Sequence, residues 1–254
     1  MAQNFRQTEI LDIAKRTGQV VVEDLAVHFG VTVQTIRRDL TELCDAGRLT
    51  RVYGGAILPS GVTNIGYEER RQLNTEAKER IARACAATIP DNASVFLNIG
   101  TSTEAVARAL LEHRNLMVIT NNINVANTLA ANPDCEVIVA GGVLRRADGG
   151  LVGDVTVDMV RQFKVDFGVI GASALDEDGD LLDYDYREVR VTQAVIRQAR
   201  RSCLVADSSK FSRSAPVRIA SLEEIDTFFT DAPPPDPVRA LCDGWGTRIV
   251  TAGD

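Results

Sequence analysis

Apolar residues recur at helical spacing in three short segments at the start of the chain. The first segment covers residues 6–16, and Gly18 closes it. The second has acids in its opening turn and ends at Gly30, a glycine suited to a sharp turn. Thr32 is a suitable N-cap for a third helix that runs to about Gly47. The apolar positions of the three predicted helices are Ile10, Leu11, Ile13, Ala14, Leu25, Ala26, Phe29, Val33, Ile36, Leu40 and Leu43.

The face of the third helix that points away from this apolar stripe carries residues suited to DNA. Gln34, Thr35 and Arg38 are predicted to contact bases. An amide or a guanidinium pairs with purine edges in the major groove, and a threonine methyl group packs against thymine. Arg37 lies at the flank and is predicted to contact phosphate. For any one of these helices taken alone, a solvated charged face is the better explanation, but the ordered series of three favours a DNA-binding unit.

Residues 48–56 alternate like a strand and contain the pair Gly54 and Gly55, where the chain is predicted to turn. A β-hairpin after the third helix indicates a winged helix-turn-helix, in which Arg51 reaches the DNA backbone. The predicted DNA-binding domain spans residues 1–58. Its candidate DNA-binding residues are Thr32, Gln34, Thr35, Arg37, Arg38 and Arg51.

A change in composition near residue 60 predicts a domain boundary. Pro59 begins a polar stretch, so residues 59–74 are predicted to be a linker, followed by a second domain over residues 75–254. There, short apolar runs alternate with helical patterns, which predicts an α/β fold with a largely parallel, Rossmann-like sheet covered by helices. The predicted strands are residues 94–99, 116–120, 136–140, 165–171, 202–206, 226–230 and 247–251.

The loops after these strands are the candidate ligand site, because ligands of parallel sheets bind beyond the carboxyl ends of the strands. Residues 100–103 combine a glycine turn with hydroxyl groups, which suits a phosphate, although helix capping explains them too. Asn122 offers an amide or forms a turn, Arg145 faces an anion or rests in water, and Lys210 binds phosphate or is solvated. The candidate ligand-binding residues are Gly100, Thr101, Ser102, Thr103, Asn121, Asn122, Gly142, Arg145, Asp185, Glu188 and Lys210.

Charge and composition narrow the classes of function. The chain of 254 residues has a net charge of −7, whereas residues 1–60 hold seven basic and seven acidic residues. Such a neutral segment binds DNA only where its cations are concentrated or where several copies act together. The five cysteines are widely spaced and only two histidines occur, which argues against a disulfide scaffold and a zinc site, and no cofactor is predicted.

The chain contains no apolar run near the roughly 18 residues that span a bilayer. Its first residues mix charged and apolar positions instead of forming a signal peptide. A cytoplasmic protein that keeps its N-terminus and does not bind membranes is therefore expected.

Two sets of segments resemble the DeoR family of bacterial transcription regulators. The runs Val31 to Leu40 and Arg51 to Ala56 are similar to the winged helix-turn-helix signature of that family. Two positions depart from the family pattern, since many members have aspartate at Asn98 and threonine at Ser102. Similar segments of the second domain are residues 96–105, 120–127, 140–142, 148–153, 165–168, 183–190, 206–211 and 230–235.

This resemblance implies a repressor, not an enzyme, whose sensor domain is related in fold to phosphosugar isomerases. It also implies a homodimer or homotetramer that leaves double-stranded operator DNA when a phosphorylated effector binds. Residues 183–190 and 230–235 are most similar to the branch of the family concerned with glycerol-3-phosphate, so glycerol-3-phosphate or another sugar phosphate is the expected effector. Asp39 fits the family pattern and is interpreted as a partner of Arg37 or Arg38.

Two other classes of function remain open at this point. A phosphosugar isomerase needs a general base, for which Glu188 or one of Asp176, Asp178 and Asp180 has suitable chemistry, but it has no use for a winged helix. A protein-interaction adaptor does not need the polar face around Arg38.

Overall fold

The computed structural model describes residues 5–46, 48–57 and 64–253. Its N-terminal part, residues 5–57, is called the head below, and residues 64–253 are called the body. The head contains the three predicted helices α1 (Phe5–Thr17), α2 (Val22–Phe29) and α3 (Val33–Asp45). Gly30 ends α2 in the left-handed conformation, and the Thr32 side chain caps α3 by accepting a hydrogen bond from the Thr35 amide at 3.3 Å. The predicted capping residues are thus confirmed.

Three short strands complete the head: β1 (Gln19–Val21), β2 (Thr50–Val52) and β3 (Gly55–Ile57), in the antiparallel order β1-β3-β2. The predicted wing is confirmed, but its turn lies at Tyr53 and Gly54 instead of at the glycine pair. Gly55 belongs to β3, where a side-chain Cβ would lie 1.9 Å from the Val20 carbonyl oxygen. The second glycine is therefore needed for close strand packing and not for the turn.

The stretch predicted to be a linker, residues 59–74, contains a helix. Helix α4 (Tyr67–Gln72) lies inside the predicted linker, and α5 (Thr75–Ala86) follows almost at once. The predicted domain boundary falls within residues 58–63, which lie outside the described residues. The linker helix α4 has no buried residue of its own, so polar contacts hold it against the body.

The body is built on a parallel sheet in which seven strands are described, and each coincides with a predicted strand to within a few residues. Their order is β15-β14-β12-β9-β4-β5-β6. The strands are β4 (Ser94–Leu97), β5 (Leu116–Thr120), β6 (Cys135–Val139), β9 (Val165–Ile170), β12 (Ala199–Val205), β14 (Thr227–Thr230) and β15 (Arg248–Thr251).

Both faces of this sheet are covered, so the body has two apolar clusters. Within β4, Val95 and Leu97 belong to one cluster and Phe96 to the other, as expected when successive side chains alternate across a sheet. The other helices of the body are α6 (Thr101–Ala109), α7 (Ile123–Leu129), α8 (Asp154–Val160), α9 (Tyr186–Gln198) and α10 (Asp236–Trp245). No helix in the described part of the chain is long and apolar enough to cross a membrane.

Short strands that the sequence pattern does not predict lie in the loops. They are β7 (Val143–Leu144), β8 (Leu151–Val152), β10 (Ala174–Leu175), β11 (Asp180–Asp183) and β13 (Val217–Ser221). A 3₁₀ turn over Ser208–Ser212 follows β12. The strand order reverses at β4, which has β5 on one side and β9 on the other. Such a switch point opens a crevice at the carboxyl ends of the strands, the edge at which the predicted loops lie.

Candidate functional site

Helix α3 presents the predicted DNA-binding face to solvent. Ile36, Leu40 and Leu43 are buried in the head core, whereas Gln34 and Arg37 are exposed on the other side. Arg38 is also exposed, with 83% of its side chain accessible. Arg51 is exposed on the wing. The arrangement exposes amide and guanidinium groups on a face whose chemistry suits a major groove.

Asp39 has a different partner from the one expected. Its carboxylate is buried and forms an ion pair with the Arg6 guanidinium of α1, whose Nη2 lies 3.2 Å from Oδ1. Arg38 pairs instead with Glu42, one turn later, at 3.1 Å. The interpretation of Asp39 as a partner of Arg37 or Arg38 is wrong, because helical spacing puts Asp39 on the buried face. It joins α1 to α3.

The loop after β4 is shaped by internal hydrogen bonds. Gly100 has φ of 144° at the start of α6. The Thr103 hydroxyl donates to the carbonyl oxygens of Asn98 and Gly100, each at 2.7 Å. Asn98 donates to the Thr192 hydroxyl at 2.7 Å. Thr103 therefore acts in loop formation and capping, whereas Thr101 remains partly exposed at the helix start.

The loop after β5 presents two buried amides. Asn122 caps α7 by accepting from the Asn124 amide at 2.9 Å. Asn121 donates to the Leu151 carbonyl at 3.1 Å, but its Oδ1 has no hydrogen-bond partner among the described residues. An unsatisfied buried acceptor is costly, so Asn121 is the amide of this loop that has capacity for a ligand.

Arg145 lies in a cluster of carboxylates instead of facing an open site. Its guanidinium pairs with Glu188, with Asp148 at 2.7 Å and with Asp185 at 3.4 Å. Burial and the neighbouring Asp183 raise the pKa of Glu188 to about 8. An anion would have to displace these carboxylates to reach Arg145, so the contacts do not support it as a direct anion ligand. Gly142, with φ of 144°, packs against the side chain of α8 residue Thr156.

A second group of charges at the same edge has an excess of cations. Lys210, in the 3₁₀ turn after β12, lies near Arg213, Lys78 and Arg70 as well as Asp207. Burial and then Arg213 lower the pKa of Lys210 to about 7. Burial also lowers the pKa of Lys78, to about 8. We call Arg70, Lys78, Lys210 and Arg213 the cation cluster.

Hydrogen bonding leaves part of the cation cluster unsatisfied. Lys78 donates to the carbonyl oxygens of Arg70 and Leu73, the latter at 2.5 Å. Arg70 is paired with Asp148 at 3.5 Å. The Nε atoms of Arg70 and Arg213 are buried and find no partner within the described part of the chain. Buried donors without acceptors, next to several cations, are suited to a multiply charged oxyanion.

Of the cation cluster, only Lys210 is among the residues predicted from the sequence. Arg213 follows it by three residues in the same loop, and that spacing was an available signal. Arg70 and Lys78 lie on separate helices, far along the chain from Lys210, and no local pattern connects them to it.

The segment Asn64–Asn74 lies across the loops of this edge. The Asn64 amide donates to the Ser173 hydroxyl at 2.9 Å, after β9, and the Asn74 amide donates to Asp207 at 2.9 Å, after β12. The Tyr67 hydroxyl donates to the Glu104 carboxylate at 2.9 Å, in the helix that follows β4. The segment joining head and body thus contacts the candidate ligand loops directly.

Both parts of the chain match models of the same protein family. Residues 6–62 match the DeoR-like helix-turn-helix domain, and residues 73–232 match the DeoR C terminal sensor domain. The chain is 48% identical over 241 residues to the glycerol-3-phosphate regulon repressor of Escherichia coli K12, a match that covers 95% of this chain and 96% of the relative. It is 44% identical to the repressor of the same name from Haemophilus influenzae, with coverage of 95% and 94%.

One solved structure shows the same fold over most of the chain. It is a chain of the tetrameric eIF2B-beta2-delta2 complex from C. thermophilum, with a TM-score of 0.52 and 15% identity. The match covers 95% of this chain and 86% of that chain.

Proposed function

The chain belongs to the DeoR family of transcription regulators, and we propose that it represses glycerol or sugar catabolism genes by binding operator DNA until a phosphorylated effector releases it. The relatives named as glycerol-3-phosphate regulon repressors make glycerol-3-phosphate the first effector to test. Another sugar phosphate is the alternative. Because the protein acts on DNA, it is expected to work in the cytoplasm.

Operator recognition is assigned to α3 and the wing. Gln34, Thr35 and Arg38 read base edges, and Arg37 and Arg51 contact phosphates. Thr32 caps α3 and so fixes where this helix begins. This assignment is supported by the exposure of the charged face opposite the buried stripe.

The oligomer is proposed to be a homodimer or homotetramer. The head has no net charge when residues 1–60 are counted, so one copy has modest affinity for DNA. Two heads held together bind two operator half-sites with a higher effective concentration. Half-site spacing then follows from the distance between the heads.

The effector's phosphate is assigned to the cation cluster. The single observation that supports this assignment is the pair of buried Nε atoms, of Arg70 and Arg213, that have no partner in the described part of the chain. Phosphate carries about 1.5 to 2 negative charges at neutral pH and accepts several hydrogen bonds. Lys210 and Arg213 approach from the loop after β12, and Arg70 and Lys78 approach from the linker side.

The other candidate ligand-binding residues are assigned to the rest of the effector or to the wall behind it. The residues Gly100, Thr101, Ser102 and Thr103 form the turn and helix start beside the crevice, where backbone N–H groups favour anionic or hydroxyl oxygens. Asn121 offers an effector hydroxyl its Oδ1, which accepts no hydrogen bond from the residues that the structure describes. Arg145, Asp185 and Glu188 form a supporting wall through their ion pairs, and Gly142 is assigned to the loop after β6 that leads to this wall.

Fluorescence anisotropy on labelled promoter DNA tests this function. The DNA is taken upstream of glycerol-uptake genes and of the protein's own gene, and glycerol-3-phosphate is titrated against other sugar phosphates. Selective release by glycerol-3-phosphate is the expected result. Release only by another phosphate keeps the repressor and changes the effector, whereas no operator binding at all contradicts the proposal. Absence of turnover on the same panel distinguishes a sensor from an isomerase.

A further inference from the structure

The linker helix α4 is fixed to the body by a buried polar network centred on Glu104. This carboxylate is 4% exposed and accepts hydrogen bonds from the Tyr67 hydroxyl and from the side-chain amides of Asn122 at 3.2 Å and Asn124 at 3.0 Å. The Asn124 amide also lies 2.8 Å from the Tyr67 oxygen. Burial and the adjacent Glu104 raise the pKa of Tyr67 above its usual range, so the phenol keeps its proton and remains the donor.

Helix α4 also contributes Arg70 to the cation cluster. Arg70 follows Tyr67 by three residues, and residues at this spacing lie on the same side of a helix. Arg70 is held by Asp148 at 3.5 Å, while its buried Nε lacks a partner among the residues that the structure describes. A phosphate in the cation cluster competes with Asp148 for this guanidinium. The guanidinium carbon of Arg70 lies 5.9 Å from the centre of the Tyr67 ring, so displacement of this guanidinium removes a cation-π contact from Tyr67.

The network around Glu104 is connected to the head through the polypeptide chain. The head is attached through residues 58–63 to the segment that begins at Asn64 and contains α4. A shift of α4 therefore changes the position from which the head is held. Two heads that must match two half-sites are sensitive to such a shift, since a mismatch in spacing removes simultaneous binding.

We propose that Tyr67 and Glu104 form a latch that holds the linker in the operator-binding arrangement, and that the effector's phosphate opens this latch by drawing Arg70 away from Asp148. The inference rests on the proposed repressor function and adds the coupling device to it. The latch is a positioning pair, not a set of effector ligands. Its loss favours the released arrangement even without effector.

Thermodynamic linkage gives this inference a specific signature. A substitution that destabilises only the operator-binding arrangement weakens operator binding and strengthens effector binding, and the product of the two factors equals the shift in the equilibrium between the arrangements. The two factors are comparable when both arrangements are similarly populated, which is the case that we propose. Tyr67→Phe removes the hydroxyl and keeps the ring. Loss of the hydrogen bond to the buried Glu104 carboxylate shifts the equilibrium roughly three- to tenfold, which predicts a change of roughly two- to threefold in each affinity. A change that merely damages the fold weakens both affinities.

The experiment uses the full chain and a matched control. Tyr186→Phe is the control, because Tyr186 is 64% exposed and its hydroxyl makes no hydrogen bond with the residues that the structure describes. Operator affinity is measured by anisotropy without effector, glycerol-3-phosphate affinity by calorimetry, and folding by thermal denaturation. The expected result is weaker operator binding and tighter glycerol-3-phosphate binding for Tyr67→Phe, with the control unchanged.

Other outcomes separate the latch from the proposed function. Unchanged affinities in Tyr67→Phe, or losses of both, overturn the latch. If glycerol-3-phosphate does not bind the wild-type chain, that effector assignment fails. The operator titration of Tyr67→Phe still tests the latch in that case. A weaker operator affinity at an unchanged melting temperature supports the latch, and an unchanged operator affinity overturns it.

Discussion

Effector affinity is predicted to fall as the pH rises above neutrality. Burial and the other members of the cation cluster lower the pKa of Lys210 to about 7, so a substantial fraction of this side chain is neutral at physiological pH. A bound phosphate favours the ammonium form and raises its pKa. Binding is therefore accompanied by proton uptake, and each increase in pH above 7 removes part of the binding-competent population.

The size of the effect follows from this pKa. With a pKa of about 7, roughly half of Lys210 is protonated at pH 7 and ~3% at pH 8.5. If only the ammonium form binds, affinity falls by roughly 15-fold over this range. Lys78, with a pKa of about 8, adds a smaller factor of roughly four. The phosphate itself contributes little above pH 7, because its second pKa is near 6.

Calorimetric titration of the full chain with glycerol-3-phosphate at pH 7 and pH 8.5, in two buffers of different ionisation enthalpy, measures both the affinity and the proton uptake. Lys210→Arg is the control, since an arginine keeps its charge over this range. Its pH dependence should shrink to the Lys78 contribution. A wild-type affinity that does not change with pH, or an equal pH dependence in Lys210→Arg, refutes the assignment of the phosphate to Lys210.

Three further predictions concern single contacts. Arg38→Ala is expected to cost about 1–3 kcal/mol of operator binding and to relax base preference. Arg37→Ala should weaken all DNA sequences alike and reduce the salt dependence; equal behaviour of the two variants in anisotropy titrations contradicts their separate roles. Asp39→Asn should lower the free energy of unfolding by about 1–3 kcal/mol in urea titrations, because Arg6 loses a buried counter-charge; a change within experimental error argues against this ion pair. Thr101→Ala should still bind operator but respond less to effector, and an unchanged effector affinity would exclude the loop.

Much of the fold was predictable because its signals are local. The helical stripe of α3, its Thr32 cap and the Gly30 turn all depend on residues a few positions apart. The apolar runs of the parallel sheet are similarly self-contained, and every strand of the main sheet that the structure describes was anticipated. The two-residue strands β7 and β8 were missed, because such short pairings lack a periodic signal.

The candidate site was predictable at the level of loops but not of partners. The sheet topology brings the carboxyl ends of β4, β5 and β12 together, so loops chosen from sequence do lie at one edge. The sequence pattern does not predict which charged side chains contact one another at this edge. Arg145 was interpreted as an anion ligand or a solvated cation, and the structure places it among three carboxylates.

The sequence by itself determined the family, the succession of helices and strands, and the face of α3 that reaches solvent, since periodicity and capping act over one or two helical turns. Only the tertiary structure decided that Asp39 pairs with Arg6, 33 residues away, and that Tyr67 meets Glu104, 37 residues away. It also decided that Arg70 and Lys78 join Lys210. The physical reason is that a local pattern specifies which side of an element is buried, whereas the partner of a buried charge depends on which distant element packs against it.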